Sequence, residues 1–333
     1  MSPESVPSVA ADGLAANAVT LRPDAPFFIV QNAGSGRSSA QTLQTIISEI
    51  LTAAGRQFSF SLVEDPRDLK AKAEAALRDA RESGGVVVAA GGDGTLNAVA
   101  SVVLGQGVPF AILPQGTFNY FGRTYGVSQD TATATRVLLD AVIQPVQVGM
   151  LNGRLFLVNA SLGLYPTLLE DREAYKKRYG RSRLVAMWSA IMTLFRAHRQ
   201  LRLRIDGDGE GTPHTINTPT LVVGNNALQL EQIGIEERSA LTRGRLVGMG
   251  AKPVGTLALY KLVLMGLFSR LGEAENVFSF DFERLTVDPR GTKRVKVAMD
   301  GEITHLQAPL VFEVSRERLP LLVPRDENLK ERG

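Results

Sequence analysis

Residues 85–97 read GVVVAAGGDGTLN, an apolar run followed at once by three glycines around an aspartate. No polar residue interrupts Gly85–Ala90, which is typical of a parallel β-strand covered on both faces. Glycines in the turn would let the backbone approach a phosphate, and the helix expected from about Thr95 would offer unpaired N–H groups at its N-terminus. The segment therefore predicts a strand, a phosphate-binding turn and a helix, with Thr95 either capping the helix or contacting the phosphate.

Strand and helix patterns alternate on both sides of this segment. Short apolar runs predict strands at Phe27–Gln31, Phe58–Val63 and Val108–Leu113. Helical periodicity predicts helices at Ser39–Ala54, Leu69–Arg81 and Thr131–Val142. Alternation of this kind is typical of an α/β domain with a doubly wound parallel sheet.

The pattern changes near residues 144–149, after which short strands and turns dominate. Strands are predicted at Leu155–Asn159, Leu201–Ile205, Thr220–Val223, Phe278–Val287, Arg294–Met299 and Leu310–Val314, and helices at Leu184–Ala197 and Thr256–Leu271. This half therefore predicts a β-rich domain, an antiparallel sandwich. We expect a flexible N-terminal tail at 1–25, an α/β domain at 26–145, a β-rich domain at 146–324 and a flexible C-terminal tail at 325–333.

Composition excludes several classes of protein. The 333 residues are 44% hydrophobic and 21% charged, which is typical of a globular protein, and they contain no cysteine and three histidines. Disulfide scaffolds, Fe–S clusters and thiol nucleophiles are therefore excluded. The net charge of +3 does not indicate a nucleic-acid partner. No signal peptide or membrane span is evident, so we expect a cytoplasmic protein, with contact at the inner face of the membrane left open.

Two further polar loops follow predicted strands. One is Asn32–Arg37 and the other is Pro114–Asn119. Together with Gly91–Asn97 they would lie at the carboxyl ends of neighbouring parallel strands, where open α/β sheets bind ligands. The common nucleotide motifs GxxxxGK[ST] and GxGxxG are absent from these positions. The three loops nevertheless predict a ligand that carries phosphate.

The loops and three later motifs resemble the diacylglycerol kinase catalytic-domain family, which includes bacterial lipid kinases and sphingosine and ceramide kinases. The order and spacing of the matching segments are similar over about residues 26–324. The segments are Asn32–Gly36, GGDGTLN at 91–97, GTFN at 116–119, NASLGL at 159–164, VGNN at 223–226 and DGE at 300–302.

The resemblance implies that ATP binds between the two domains and that its γ-phosphoryl group passes to a lipid hydroxyl at a membrane surface. It implies Glu302 as the proton acceptor. We expect Asp93 to organise Mg²⁺ and phosphate through water and Asp300 to support the site. The implied ATP contacts are Asn32, Ala33, Gly34, Ser35, Gly36, Gly91, Gly92, Asp93, Gly94, Thr95, Leu96, Asn97 and Thr117.

The sequence also departs from the family pattern. Tyr120 stands where many members have Asp or His, and Ala98 stands where many have Glu. Members often carry an Asp at the position of Arg243, as part of an accessory Mg²⁺ site in the β-rich domain. A guanidinium cannot ligate a cation, so we expect that accessory site to be lost. The catalytic Mg²⁺ would be held mainly by ATP.

Two other functions and the role of one surface remain open at this point. GGDGT also fits an NAD-kinase-like enzyme with a soluble acceptor, and the chain could be a catalytically silent lipid- or nucleotide-binding protein. The basic stretch 172–204 would either contact anionic lipid or form a solvated helix flank. The sequence does not indicate which lipid is the acceptor, or the oligomeric state.

Overall fold

The computed structural model of the protein describes residues 21–34, 37–116, 118–167, 201–207, 214–235, 238–252 and 277–325. The predicted helices Leu184–Ala197 and Thr256–Leu271, both tails beyond these ranges and most of the basic stretch 172–204 lie outside the described residues. Within those ranges, no helix combines the length and apolar character needed to cross a membrane.

The N-terminal half is an α/β domain built on a six-stranded sheet with strand order β2-β1-β3-β4-β18-β5. Strands β1 to β4 pair in parallel, and helices connect them, as the alternating pattern predicts. The strands are β1 (Phe27–Asn32), β2 (Phe58–Val63), β3 (Val86–Gly91), β4 (Phe110–Pro114), β5 (Ala141–Val146) and β18 (Leu319–Pro324). The helices are α1 (Arg37–Ala53), α2 (Leu69–Ser83), α3 (Asp93–Val103), α4 (Tyr120–Thr124) and α5 (Thr131–Leu139).

The C-terminal half is an antiparallel sandwich of two six-stranded sheets. One sheet contains β6 (Gly149–Leu151), β7 (Arg154–Phe156), β9 (Leu201–Gly207), β10 (His214–Thr218), β14 (Arg284–Pro289) and β17 (Leu310–Val314). The other contains β8 (Asn159–Gly163), β11 (Thr220–Gly224), β12 (Leu246–Ala251), β13 (Val277–Phe282), β15 (Arg294–Met299) and β16 (Glu302–Gln307). Two short helices follow β11, namely α6 (Ala227–Gln232) and α7 (Arg238–Thr242). The predicted fold class is therefore confirmed.

The last strand returns to the first domain. Every residue of β18 is buried, and the strand pairs antiparallel with β5 and parallel with β4 at Leu321 and Phe110. Strand β18 therefore completes the α/β sheet, although the predicted domain division places its residues in the β-rich domain at 146–324. The short apolar segment LPLLVP contains no feature that distinguishes a strand of one sheet from a strand of the other.

Two predicted elements differ from the structure for physical reasons. The predicted helix Thr131–Val142 ends at Leu139, and the β-branched residues that follow, Val142 and Ile143, belong to strand β5. The predicted strand Phe278–Val287 is two strands in different sheets, because the chain turns at Glu283 from β13 into β14. The core-facing positions are Phe280 and Phe282 before that corner and Leu285 and Val287 after it, so the apolar alternation shifts by one residue there while both strands face the same sandwich core.

The pairing of β18 predicts that the α/β domain depends on the end of the chain. Leu321→Ala removes a fully buried side chain, and we expect it to lower the free energy of unfolding by about 2–5 kcal/mol. Hydrogen exchange should lose protection in β4, with which Leu321 pairs. The control is Leu241→Ala, at a partly buried leucine of the β-rich half; exchange in β4 should not respond to it.

Candidate functional site

The glycine turn leads directly into helix α3. Gly92 is the N-cap residue, with extended backbone angles of φ −82° and ψ 178°, and the helix begins at Asp93, two residues before the predicted Thr95. The intrahelical bond nearest the N-terminus runs from the Leu96 N–H to the Gly92 carbonyl at 3.0 Å. The N–H groups of Asp93, Gly94 and Thr95 precede it and have no acceptor within the helix. These are the unpaired N–H groups that the sequence predicts at the start of the helix, an arrangement that suits an anion.

Side-chain hydrogen bonds organise the two neighbouring loops, which follow β1 and β4, beside this turn. Asn32 follows β1, and its Nδ2 donates to the Thr95 hydroxyl at 3.0 Å while its Oδ1 accepts from the Gly34 N–H at 2.9 Å. Asn119 follows β4 in the left-handed region, with φ 47°, and its Oδ1 accepts from the Gly116 N–H at 2.8 Å. The three loops therefore meet at one edge of the sheet, and Thr95 contacts a loop rather than capping its helix.

Asp300 joins the β-rich domain to α3. Its buried carboxylate accepts from the Leu157, Val158 and Asn159 N–H groups at 2.7, 2.8 and 3.1 Å, and from Nδ2 of Asn97 at 2.6 Å. Burial raises the pKa of Asp300, and these four hydrogen bonds act in the opposite direction. The Asp300 carboxylate therefore connects residues 157–159 of the β-rich half to Asn97 of helix α3.

The same aspartate forms the hairpin turn between β15 and β16. Asp300 has φ 46° and Gly301 has φ 85°, the pair of positive angles that a two-residue type I′ turn requires. Asp-Gly is a preferred sequence for that turn, so the DG pair is a hairpin turn and an interdomain contact at once. The turn then directs Glu302, the first residue of β16, back towards α3.

Glu302 lies directly against the glycine turn. A Cβ atom built on Gly94 would collide with Oε1 of Glu302, so a glycine is what allows the carboxylate to approach the start of α3. This contact brings together the two motifs that lie more than 200 residues apart in sequence. The Glu302 carboxylate thereby lies beside Gly94, in the first turn of α3.

A cleft of about 650 Å³ runs from this contact along α3, between the two domains. Its walls are α3, the β6–β7 hairpin and the β15–β16 hairpin, with Lys70 of α2 at one side. Ala98 lies in the wall formed by α3, and Arg154 in the wall formed by the β6–β7 hairpin. Sequence reasoning did not select Lys70 or Arg154, because neither belongs to a motif and the two are brought to the cleft only by domain packing.

Asp93 is the third acid of the site. Burial and the charge of Asp300 raise its pKa to about 6, although a hydrogen bond from the Asn119 N–H acts to lower it. Its Oδ1 atom is buried and makes no hydrogen bond. A buried carboxylate oxygen without a partner fits a site that meets a cation or a water bound to one.

The residues present fit a magnesium ion held mainly by a nucleotide. The described residues contain no group of three or more His, Asp or Glu side chains that could enclose a metal. Mg²⁺ bound to nucleotide phosphates needs only one or two protein carboxylates, and Asp93 supplies one with an unused oxygen. Arg243 does not line this site, since its guanidinium pairs with Asp281 at 3.0 Å.

The other predicted contacts divide into three groups. Gly91, Gly92, Gly94 and Thr95 form the turn, and Asn32, Ala33 and Gly34 the loop beside it. The Leu96 side chain is fully buried in the α/β core, and the Asn97 amide donates to Leu155 and Asp300, so both are directed away from the phosphate end. Ser35, Gly36 and Thr117 lie outside the described residues.

Comparison with known families supports the resemblance seen in the sequence. Residues 26–151 match the family described as "Diacylglycerol kinase catalytic domain". They contain all three loops that meet at the start of α3.

Individual relatives carry related names. A "Probable lipid kinase YegS-like" of Pseudomonas aeruginosa is 38% identical over 112 residues, which are 33% of this chain and 36% of the relative. A "Diacylglycerol kinase" of Staphylococcus haemolyticus is 33% identical over 138 residues, 40% of each chain. These alignments thus span about two fifths or less of the relatives' length. A "Diacylglycerol kinase" of Bacillus subtilis is 24% identical over 279 residues, 82% of this chain and 88% of the relative.

The fold extends over nearly the whole chain. A crystal structure titled as a putative diacylglycerol kinase from Bacillus anthracis superimposes with a TM-score of 0.66 at 20% identity, covering 91% of this chain and 98% of that one. The likeness confirms the arrangement of an α/β domain followed by antiparallel β-sheets.

The raised pKa of Asp93 predicts a gain in stability for Asp93→Asn. Between about pH 3.8 and 6, Asp93 is protonated in the folded protein but ionised in the unfolded chain. The contribution of Asp93 to the free energy of unfolding therefore decreases as the pH rises through this window. At pH 7 we expect Asp93→Asn to be more stable than the wild type by roughly 1–3 kcal/mol, a gain that shrinks towards pH 4. Thermal unfolding across pH 4–7 measures this.

The control for this variant is Asp130→Asn. The Thr133 side chain and N–H lower the pKa of Asp130, so its pH dependence has the opposite sign, and asparagine caps a helix as well as aspartate does. A stability difference for Asp93→Asn that does not change with pH would contradict the raised pKa.

The Glu302–Gly94 contact predicts that Gly94→Ala displaces a carboxylate without unfolding the protein. The new methyl group would meet only the movable end of Glu302 within this contact. We expect turnover to fall by about 10–100-fold with little change in melting temperature, since a displacement of about 1 Å of a reacting group costs that much. Gly207→Ala, whose methyl group would meet Leu285 at an ordinary 3.4 Å, should leave both quantities unchanged.

Proposed function

We propose that the protein is a lipid kinase that transfers the γ-phosphoryl group of ATP to a lipid hydroxyl. The observation that carries this proposal is the position of Glu302 on Gly94. An acid from the β-rich domain lies there beside an anion-binding helix N-terminus of the α/β domain. Phosphoryl transfer requires this combination, because the transferred group must be held in line with an acceptor oxygen whose proton has a base to receive it.

The phosphate groups of ATP would lie at the start of α3. The N–H groups of Asp93, Gly94 and Thr95 would donate to phosphate oxygens, and Asn32 keeps the neighbouring loop against Thr95. Asp93 would hold the magnesium–phosphate unit through water with its unpartnered oxygen. Magnesium, when bound, neutralises charge on the phosphate oxygens.

The adenosine would extend into the cleft that starts at Gly94. A volume of about 650 Å³ is in the range of small-molecule sites, and the cleft is continuous with the phosphate end of α3. Met150, Leu155 and Val102 supply apolar wall, and Ser101 and Thr304 supply polar groups. Glu302 lines the end of this cleft next to Gly94, so the acceptor hydroxyl would reach the γ-phosphate at that end.

The acids then have separate roles. The acceptor oxygen bonds to the γ-phosphorus as the bond from that phosphorus to the ADP oxygen breaks, and the hydroxyl proton passes to Glu302. Asp300 is a positioning residue, because its carboxylate is fully engaged by four donors. It fixes the turn from which Glu302 projects.

A lipid acceptor is supported by the names of the relatives and by the family of residues 26–151. Because such an acceptor stays in a bilayer, the enzyme would work from the cytoplasm at the inner face of the membrane, as a peripheral protein. The test is incubation of the protein with radiolabelled ATP, Mg²⁺ and a total lipid extract, followed by identification of the labelled product. Labelling of a soluble acceptor alone would favour an NAD-kinase-like activity, and ATP binding without transfer would favour a silent binding protein.

The assignment of the base predicts a selective loss in Glu302→Gln. Glutamine keeps the size of the side chain but removes its charge and proton affinity, so turnover should fall by roughly 10²–10⁴-fold with little change in ATP affinity. Steady-state kinetics and equilibrium ATP binding measure the two effects.

Asp300→Asn is the comparison that separates base from positioning residue. Asparagine places an NH₂ group where a carboxylate oxygen accepts hydrogen bonds from N–H groups, so donors would face donors. We therefore expect a lower melting temperature together with lower turnover. Normal turnover in Glu302→Gln with a loss confined to Asp300→Asn would transfer the role of base to Asp300.

A further inference from the structure

Two cationic side chains line the cleft, one from each of the domains that form it. Lys70 comes from the α/β domain and Arg154 from the β-rich domain. The same cleft contains the carboxylates of Asp300 and Glu302. Asp300 already accepts four hydrogen bonds from other donors, and neither cation takes part in the proton transfer to Glu302. The role of the two cations therefore has to come from the ligand.

The backbone next to Arg154 is fixed against α3, whereas its guanidinium is largely free. The Leu155 carbonyl accepts from Nδ2 of Asn97 at 3.0 Å, which holds this part of the β6–β7 hairpin on the helix. Within the part of the chain that the structure describes, the guanidinium pairs with no Asp or Glu, and its one hydrogen bond is a long one, 3.4 Å from Nη1 to the Thr304 hydroxyl. Most of its five N–H donors are therefore available for an anion.

Thr304 shows how far the guanidinium lies from Glu302. Residues 302 and 304 lie on one face of β16, because side chains alternate along a strand, and their Cα atoms are about 7 Å apart. Arg154 contacts the second of them and so lies about two strand positions from the proton acceptor. In an in-line transfer the γ-phosphorus and the bridging oxygen stand between the base and the β-phosphate. This spacing therefore places the guanidinium beside the leaving group rather than beside the acceptor oxygen.

Lys70 approaches the cleft from the α/β domain. Strands β1, β2 and β3 are parallel, so helices α2 and α3, which follow β2 and β3, begin at the same edge of the sheet. Lys70 belongs to the first turn of α2 and lies level with the start of α3. Its ammonium is 3.8 Å from Glu74, but the two side chains are 80% and 47% exposed, so this ion pair is weak and a phosphate can replace it.

We propose that Arg154 and Lys70 bind the β-phosphate of ATP and neutralise the charge that forms on ADP as it leaves. This inference rests on the proposed function. When the bond from the γ-phosphorus to the bridging oxygen breaks, its electron pair stays on ADP, and the β-phosphate gains negative charge. The guanidinium and the ammonium transfer no proton, and their hydrogen bonds to the β-phosphate strengthen as that charge grows. Because each domain supplies one cation, the nucleotide would also connect the two domains.

The test compares the binding of ADP and AMP, which differ by the β-phosphate, in calorimetric titrations without lipid. We expect the wild type to bind ADP more tightly than AMP. Arg154→Gln should weaken ADP binding by about 10–100-fold, since charge-assisted hydrogen bonds are lost, and should change AMP binding by less than about twofold. Turnover should fall by a similar factor, and the melting temperature should not change, because the Arg154 side chain is exposed.

Two further variants separate charge from geometry. Arg154→Lys keeps the charge but loses the planar fork of donors, so it should recover part of the ADP affinity and not all of it. Lys70→Gln should weaken ADP binding by about 3–10-fold, a smaller loss than that of the guanidinium, because an ammonium acts as a single point charge.

Each neutralised cation has a matched control at an exposed arginine of the same element or sheet. Arg294→Gln lies at the other end of the β15–β16 hairpin, about 17 Å along β15 from Met299. Arg78→Gln lies about two turns further along α2 than Lys70, at about 12 Å. Both controls should bind ADP as the wild type does.

Three results would overturn the inference. They are equal binding of ADP and AMP by the wild type, an equal loss with both nucleotides in Arg154→Gln, and a lower melting temperature of that variant. If the cations instead held the phosphate of a lipid headgroup, Arg154→Gln would raise KM for a phospholipid acceptor and leave ADP binding unchanged, which would also overturn it.

The same measurements distinguish this inference from the proposed function. A protein that labels no lipid, but whose preference for ADP is lost in Arg154→Gln, would refute the lipid kinase and retain the β-phosphate contact. A protein that labels a lipid and binds ADP equally well with and without Arg154 would retain the lipid kinase and refute the contact.

Discussion

The arrangement of the site depends on one buried carboxylate. Asp300 accepts hydrogen bonds from three consecutive N–H groups at the entry to β8 and from the Asn97 amide of α3. Since a buried carboxylate without partners is very unfavourable, the two domains must approach closely enough to supply all four donors. That contact fixes the hairpin from which Glu302 projects. It also determines the course of the cleft and places β8 beside the glycine turn.

Three acids within one short region therefore experience different environments. The Asp300 carboxylate accepts four hydrogen bonds, Asp93 is partly buried with one oxygen unpaired and a pKa of about 6, and Glu302 lies against a glycine at the cleft. Groups whose surroundings differ in this way can position, organise charge and accept a proton without competing. The glycine at position 94 matters as much as the acids, because any side chain there would occupy the volume of the Glu302 carboxylate.

Strand β18 adds a second constraint on the domain arrangement. The chain leaves the α/β sheet after β5, forms the whole sandwich and returns to insert β18 between β4 and β5. The sandwich is thus attached at both of its ends, which restricts how far the cleft between the domains can open. The hydrogen bonds of Asp300 and the pairing of β18 both connect the two domains.

Local patterns in the sequence were enough to specify the strand–turn–helix at residues 85–97 and the parallel pairing of the first strands, because each depends on neighbouring residues. They were not enough to place β18 in the first sheet, or to divide Phe278–Val287 between two sheets, since apolar alternation does not specify the partner strand. The motifs identified Glu302 and the glycine turn as parts of one site, but they did not identify the cleft residues Lys70 and Arg154. Burial, hydrogen-bond satisfaction and the distance between domains are properties of the packed chain, and they exist only once residues distant in sequence have been brought into contact.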